Sequence, residues 1–196
     1  MVVDEYKLKT IEKDEKFLRQ VSKDVKKGDK DLKHDIDVIS KFCKERESLL
    51  AFAAIQIGIP KKIIYLKKTN VEDLEKDDID EEIIMINPKI IKEEGETNFW
   101  EVCASCLDNI GKVKRPYKIK IKYLDVNFNE KEEILEGFKA TVFSHEYDHL
   151  YGILHIDIAD TLYQMTKEER KKFRKQDGNG YNIIRKTGKY VHPLRK

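Results

Sequence analysis

The run His145-Glu146-Tyr147-Asp148-His149 constrains this chain more than any other stretch, because its chemistry exists only on a helix. Positions i and i+4 lie one turn apart on the same helical face. His145 and His149 therefore converge with Glu146 beside them, a spacing that suits one divalent metal ion and an adjacent proton acceptor. Val142, Phe143, Leu150, Ile153 and Leu154 flank the run, so the helix is expected to lie against a core. Two imidazoles and one further ligand leave a coordination position for water, whose pKa such a metal lowers to about 7.

The rest of the chain supplies a frame for that helix. Lys118-Ile119-Lys120-Ile121-Lys122-Tyr123 alternates strictly and predicts a strand with one buried face. Asn127 to Lys131 turns it toward a partner strand at Glu132–Leu135, and Gly137 precedes the metal helix, which should stop near Gly152. Upstream, residues 14–24 are helix-permissive around Leu18 and Val21. Residues 29–46 present Leu32, Ile36, Ile39, Phe42 and Cys43 at helical spacing. Gly58-Ile59-Pro60 marks a turn before a short buried strand at Ile63–Leu66, and Ile83–Ile91 predicts another strand with Pro88 at an edge or a bend. Residues 72–82 are almost entirely acidic and read as a solvated insertion. A last helix is expected from Asp160 to Lys175, ended by Gly178-Asn179-Gly180, with an irregular tail beyond. Sheet segments first and the metal helix late predict an α+β fold: small mixed or antiparallel sheets around a central metal-binding helix, with a C-terminal helix.

At 196 residues the chain is expected to form one domain, residues 1–175 being catalytic and 176–196 a basic tail. The 39 Lys and Arg against 37 Asp and Glu leave a net charge of +2, which selects no class of partner. From Ala159 onward, 11 Lys and Arg face 4 Asp and Glu. That excess reads either as a solvated helix or as a surface docking on something acidic such as ribosomal RNA. No sequence-specific nucleic-acid contact is expected. No apolar run is long enough to span a membrane. The N-terminus lacks a signal-peptide pattern, and Cys43, Cys103 and Cys106 are too few for a disulfide framework, so a reducing cytoplasm is expected.

The residues alone leave the third metal ligand open. His155 completes H-E-x-x-H-x-x-G-x-x-H, the pattern of the metzincin proteases. Against it, such proteases need a methionine turn, whereas Met165 lies in a helix-like stretch. The competing ligand is Cys103. With Cys106 it also makes a C-x-x-C pair, but no second pair exists to complete a zinc ribbon.

Three motifs in order resemble the peptide deformylases. Leu49-Leu50-Ala51-Phe52-Ala53-Ala54-Ile55-Gln56-Ile57-Gly58 matches the second half of that family's G-φ-G-φ-A-A-x-Q-φ-G; Glu101-Val102-Cys103-Ala104-Ser105 is similar to E-G-C-φ-S; and His145 to Gly152 meets H-E-x-D-H-φ-x-G in full. The resemblance spans roughly residues 14–175. It implies that Cys103, His145 and His149 bind one divalent metal, Fe2+ natively, with Zn2+, Ni2+ or Co2+ as alternatives. It further implies Glu146 as general base and then acid, Gln56 and the N–H of Ala104 as oxyanion donors, and N-formyl-methionyl peptides as substrates. Glu101 and Asp148 are expected to orient imidazole or backbone, with Arg115 pairing to one of them. His155 then becomes a partly buried or surface histidine, and His34 and His192 are expected to be exposed.

The departures lie near the substrate. Leu49 and Ala51 replace glycines, Ile55 replaces a proline and Val102 another glycine. A positive φ at Leu49 would cost about 1–2 kcal/mol. An altered substrate preference, or a non-catalytic homologue that binds formylated chains or ribosomes, follows if that edge has changed course.

Overall fold

The computed structural model describes residues 6–46, 49–67, 82–176 and 180–195. The alternating stretch forms β5 (Lys118–Leu124), burying Ile119, Ile121 and Tyr123. It pairs antiparallel with β6 (Glu130–Glu136), and its outward lysines meet glutamates of β6: Lys118–Glu136, Lys120–Glu132 and Lys122–Glu130 each close at 2.7 Å. These exposed pairs add little stability singly. They do place charge along an edge strand that would otherwise invite further pairing.

The spine of the sheet is β3 (Glu82–Val102), which pairs antiparallel with four other strands. Its start meets β2 (Ile63–Lys67), which in turn carries β1 (Ala51–Ala53). Further along it meets β5, and its end meets β4 (Asn109–Arg115) and β8 (Asn182–Lys189). A strand of 21 residues must bend to follow a twisted sheet. The bend comes where Asn87 adopts φ 50° ahead of Pro88, and the register against β5 slips there. The Asn87 side chain also clasps the backbone of Val25, accepting from its N–H and donating to its carbonyl at 2.8 Å each. The strand expected at Ile83–Ile91 is thus present and bent at Pro88. It runs on to Val102 because the polar residues after Ile91 still find partners in β5, β4 and β8.

Helices cover both faces of β1 and β2. On one side α2 (Leu32–Lys44) buries Leu32, Ile39 and Cys43 against Phe52, Ile63 and Tyr65. On the other, Ala53 and Ile64 join the core under α3 (Phe138–His149), with Ala140, Phe143, Tyr147 and Leu150 facing Met85, Ile119 and Ile121. The first helix, α1 (Ile11–Leu18), contributes Leu18. Eight of the 12 residues of α3 are buried, so its polar residues must find partners inside the protein. After α3, Gly152 turns the chain at φ 70° directly against Arg19, where a Cβ would stand 2.2 Å from the Arg19 carbonyl oxygen. Gly152→Ala is therefore expected to cost more than the roughly 1–2 kcal/mol of left-handed backbone alone. Urea denaturation would show this as a lowered midpoint, and an unchanged midpoint would contradict so close a seat.

The helix expected over Asp160–Lys175 is two elements. A short α4 (His155–Ile158) leads into β7 (Ala159–Gln164), which pairs with β4, and only then does α5 (Lys167–Gln176) begin. The helix start is set by a capping box: Thr166 N–H donates to Glu169 Oε2 at 2.7 Å, and Glu169 N–H to Thr166 Oγ1 at 3.3 Å. Thr161, Leu162 and Tyr163 instead take the open edge of β4. Similarly, residues 182–189, expected to be irregular, form β8 along β3. Of the acidic insertion at 72–82, all but Glu82 lies outside the described residues. No helix among the described residues is long and apolar enough to cross a membrane.

Candidate metal centre

Cys103 follows β3 and caps a 3-10 turn (Ala104–Cys106), while His145 and His149 stand on one face of α3. One ligand atom from each falls within 4.8 Å of the others, and Cys103 Sγ lies 3.2 Å from His149 Nε2. Gln56 reaches the same place from a second 3-10 turn (Ala54–Ile57) after β1. Its Nε2 donates to Cys103 Sγ at 3.3 Å and to Ser105 Oγ at 3.1 Å, and its Oε1 accepts from the Ala53 N–H at 3.1 Å. Glu146 is 6% exposed with Oε2 unpartnered. Burial above all, opposed by His145 and reinforced by Cys103, pushes its carboxyl up to about 7. Ala104 opens its turn at an exposed position, and the first amide of such a turn has no acceptor within it.

Behind Cys103, His145 and His149 stands a buried charge network. Glu101 Oε2 lies 2.8 Å from His145 Nδ1. Arg115, fully buried, grips Glu101 with Nε at 2.7 Å and Nη2 at 2.8 Å, and turns Nη1 to Asp148. Burial opposes the charge on Glu101, but Arg115 and then His145 outweigh it and hold the carboxyl well below its usual range. Asp148 is lowered in the same way, with Arg115 ahead of His192 and Arg195. A carboxylate at Nδ1 fixes the proton there and leaves the Nε2 lone pair of His145 for ligation. Burial disfavours charge on His145 too, yet Cys103 and Glu101 together raise it well above the ordinary value. A sulfur within 4.8 Å of two imidazole nitrogens suits a divalent cation, which binds in place of their protons.

The expected orienting roles of Glu101, Asp148 and Arg115 thus find their geometry, with Arg115 serving both carboxylates. Two histidines differ from expectation. His155 is 1% exposed, stacks on His145 with ring centroids 5.7 Å apart, and leaves both nitrogens unpartnered. Burial lowers it to about 4, so it packs as a neutral ring. Gly111 makes room for it, since a Cβ there would stand 3.2 Å from the ring. It lies outside the ligand cluster found among the described residues. His192, expected to be exposed, is buried with Nε2 3.2 Å from Asp148 Oδ2. Nothing local in the sequence signals this contact, which spans 44 positions. His34 is exposed as expected.

The departures expected to lie near the substrate carry no positive-φ strain. Positive φ at non-glycine residues occurs, among the described residues, at Asn87, Leu107 and Phe128. Leu49, Ala51, Ile55 and Val102 all avoid it, and Val102 continues the β3–β4 ladder opposite Ile110.

The family model described as Polypeptide deformylase matches residues 7–165. The chain is 36% identical over 148 residues to a peptide deformylase of Leptospira biflexa, covering 72% of this chain and 81% of the relative. It superposes on the crystal structure of peptide deformylase from Thermotoga maritima with a TM-score of 0.68 at 30% identity, covering 80% of this chain and 98% of that one. A class I type b peptide deformylase from Acinetobacter baumannii with Met-Ala-Ser bound gives a TM-score of 0.67 at 26% identity, covering 78% and 97%.

Proposed function

We propose, for a chain that belongs to the peptide deformylase family and hydrolyses the formyl group from N-formylmethionyl peptides, that Cys103, His145 and His149 hold one divalent metal while Glu146 moves the proton. The observation that supports this most directly is the convergence of the three ligand atoms within 4.8 Å, with Glu146 buried on the same helix. When bound, the metal supplies the Lewis acidity that makes water nucleophilic at neutral pH. Glu146 accepts the proton of the attacking water and returns it to the amine nitrogen as the C–N bond breaks, leaving formate and a free N-terminus. Gln56 Nε2 and the Ala104 N–H donate to the formyl oxygen as charge gathers on it, each worth about 2.7–4 kcal/mol. Glu101 and Arg115 hold His145 in its ligating tautomer. All these groups lie within residues 1–175, read as the catalytic unit.

A thiolate in the ligand set suits iron(II), taken here as the native metal, as well as zinc, with nickel and cobalt as alternatives. A cytoplasmic setting and a ribosomal contact complete the proposal. Exposed Lys167, Lys171 and Lys172 on α5 support the latter, since such a surface suits a polyanion.

Anaerobically iron-loaded protein should release formate from a formyl-Met peptide. Cys103→Ala is expected to lose both metal and turnover, while His155→Ala keeps its metal. Metal lost with His155 and kept without Cys103 would sink this ligand set in favour of a metzincin-like one.

A further inference from the structure

The last described residues cross the outer side of α3, and two of them end on its buried carboxylate. His192 directs Nε2 to Asp148 Oδ2 at 3.2 Å, and Arg195 brings Nε to 3.1 Å from Asp148 Oδ1, a charge contact without an aligned hydrogen bond. The His192 ring is held from its other side, where the backbone N–H groups of Leu194 and Arg195 donate to Nδ1 at 3.1 and 2.8 Å. A nitrogen that accepts carries no proton, so the proton sits on Nε2 and points at Asp148. Arg195 is fixed as well, donating to Glu93 Oε1 at 2.9 Å and lying over the Tyr147 ring at 5.1 Å. The root of this segment is held by β8 on β3 and by the Tyr190 hydroxyl, which donates to the Lys114 carbonyl at 2.9 Å.

A continuous run of paired groups therefore links the C-terminal segment to a metal ligand: His192 and Arg195 to Asp148, Asp148 to Arg115, Arg115 to Glu101, and Glu101 to His145 Nδ1. Two buried carboxylates share one buried guanidinium. Arg195 supplies the second positive charge, and His192 the remaining donor. Building on the deformylase reading of the site, we infer that residues 190–195 are a strap whose His192 and Arg195 are positioning residues for His145. They satisfy Asp148, which lets Arg115 keep its two-pronged grip on Glu101. Without them Arg115 is drawn toward Asp148, and Glu101 no longer fixes the ring of His145. The strap lies beyond residues 7–165, the stretch that the family model matches.

The test loads the protein with cobalt(II) and follows its loss to a chelator through the thiolate–cobalt absorption, well below the melting temperature. His192→Ala and Arg195→Ala are expected to release the metal roughly tenfold faster than the unaltered protein. They should also lower kcat for formyl-Met peptide while leaving KM in place. His192→Gln keeps an N–H donor toward Asp148 and should restore slow release. Leu194→Ser, at a strap side chain that is 51% exposed, should release at the normal rate. Unchanged release from both alanine variants, with only a lower melting midpoint, would overturn the inference. So would a His192→Gln variant as leaky as His192→Ala. Should His192→Ala fail to fold, Arg195→Ala decides, because its side chain lies at the rim of the network. Metal release needs no substrate, so an unaltered protein that never liberates formate counts against the deformylase reading and leaves the strap to be judged by its own measurement.

Discussion

Arg115→Leu is expected to lose about 3–5 kcal/mol of stability, the largest effect of any single change at this site. The guanidinium is fully buried between Glu101 and Asp148. Its removal leaves two carboxylates in the interior without their shared cation, Glu101 with only His145 and Asp148 with only His192 and the partly exposed Arg195. A domain with 5–15 kcal/mol in total is left near its threshold by such a loss. Urea unfolding would measure it. The pH dependence provides a second check. Glu101 and Asp148 are depressed in the folded protein, so their contribution is complete above the ordinary carboxylate pKa of about 4 and is lost as pH falls through the depressed values. The gap between Arg115→Leu and the unaltered protein should be widest at neutral pH and narrow in acid. A pH-independent gap would show that packing, not charge, is what Arg115 provides. Arg115→Lys should rescue little, since a single ammonium cannot serve Glu101 with two bonds while reaching Asp148.

Glu146→Gln should move activity and stability in opposite directions. Turnover is expected to fall by about 10²–10⁴ as the proton shuttle disappears, with metal still bound by the untouched ligands. Stability should rise near neutral pH. Burial raises the Glu146 carboxyl to about 7, so its ionised form is disfavoured in the folded state. The sign follows directly. A carboxyl whose folded pKa exceeds its unfolded value withdraws stability as pH climbs from about 4.3 toward the raised value, and the loss is complete above it. Glutamine never ionises and avoids that loss. Thermal melting of the metal-free protein at several pH values, set beside formate release by the loaded protein, tests both halves. Full activity in Glu146→Gln would remove Glu146 from the reaction.

What the sequence disclosed about this molecule depended on the range over which each feature is encoded. The strand at 118–124 was legible from its strict alternation and the helix at 138–149 from the H-E-x-x-H spacing, since burial around most of that helix leaves it little apolar periodicity. Gln56, Cys103 and the two histidines were legible as a set only through ordered motifs, since nothing in their separate neighbourhoods says that they meet. The β7 strand was hidden because Thr161 to Gln164 borders a good helix and gains its strand character only from β4. The capping box at Thr166 was a readable signal that would have divided the two. The burial of His192 had no local signature, as its partner Asp148 already looked committed to the metal helix. Substitutions at Leu49, Ala51 and Val102 suggested a rerouted loop, but ordinary negative φ values let these side chains occupy a regular backbone.

The spine strand also sets the order of events during synthesis. Thr97 in β3 pairs with Arg115 on one side and with Ile183 on the other, so one side of the strand at Glu94–Asn98 waits on residues made much later than the rest of the sheet. Contacts of such long sequence separation form slowly, and an incomplete chain leaves strand edges unpaired. Cys103 immediately follows this strand. The metal centre of this protein is therefore expected to mature late, after the C-terminal strand has left the ribosome, and a chain stalled before residue 182 should emerge with its ligands uncollected.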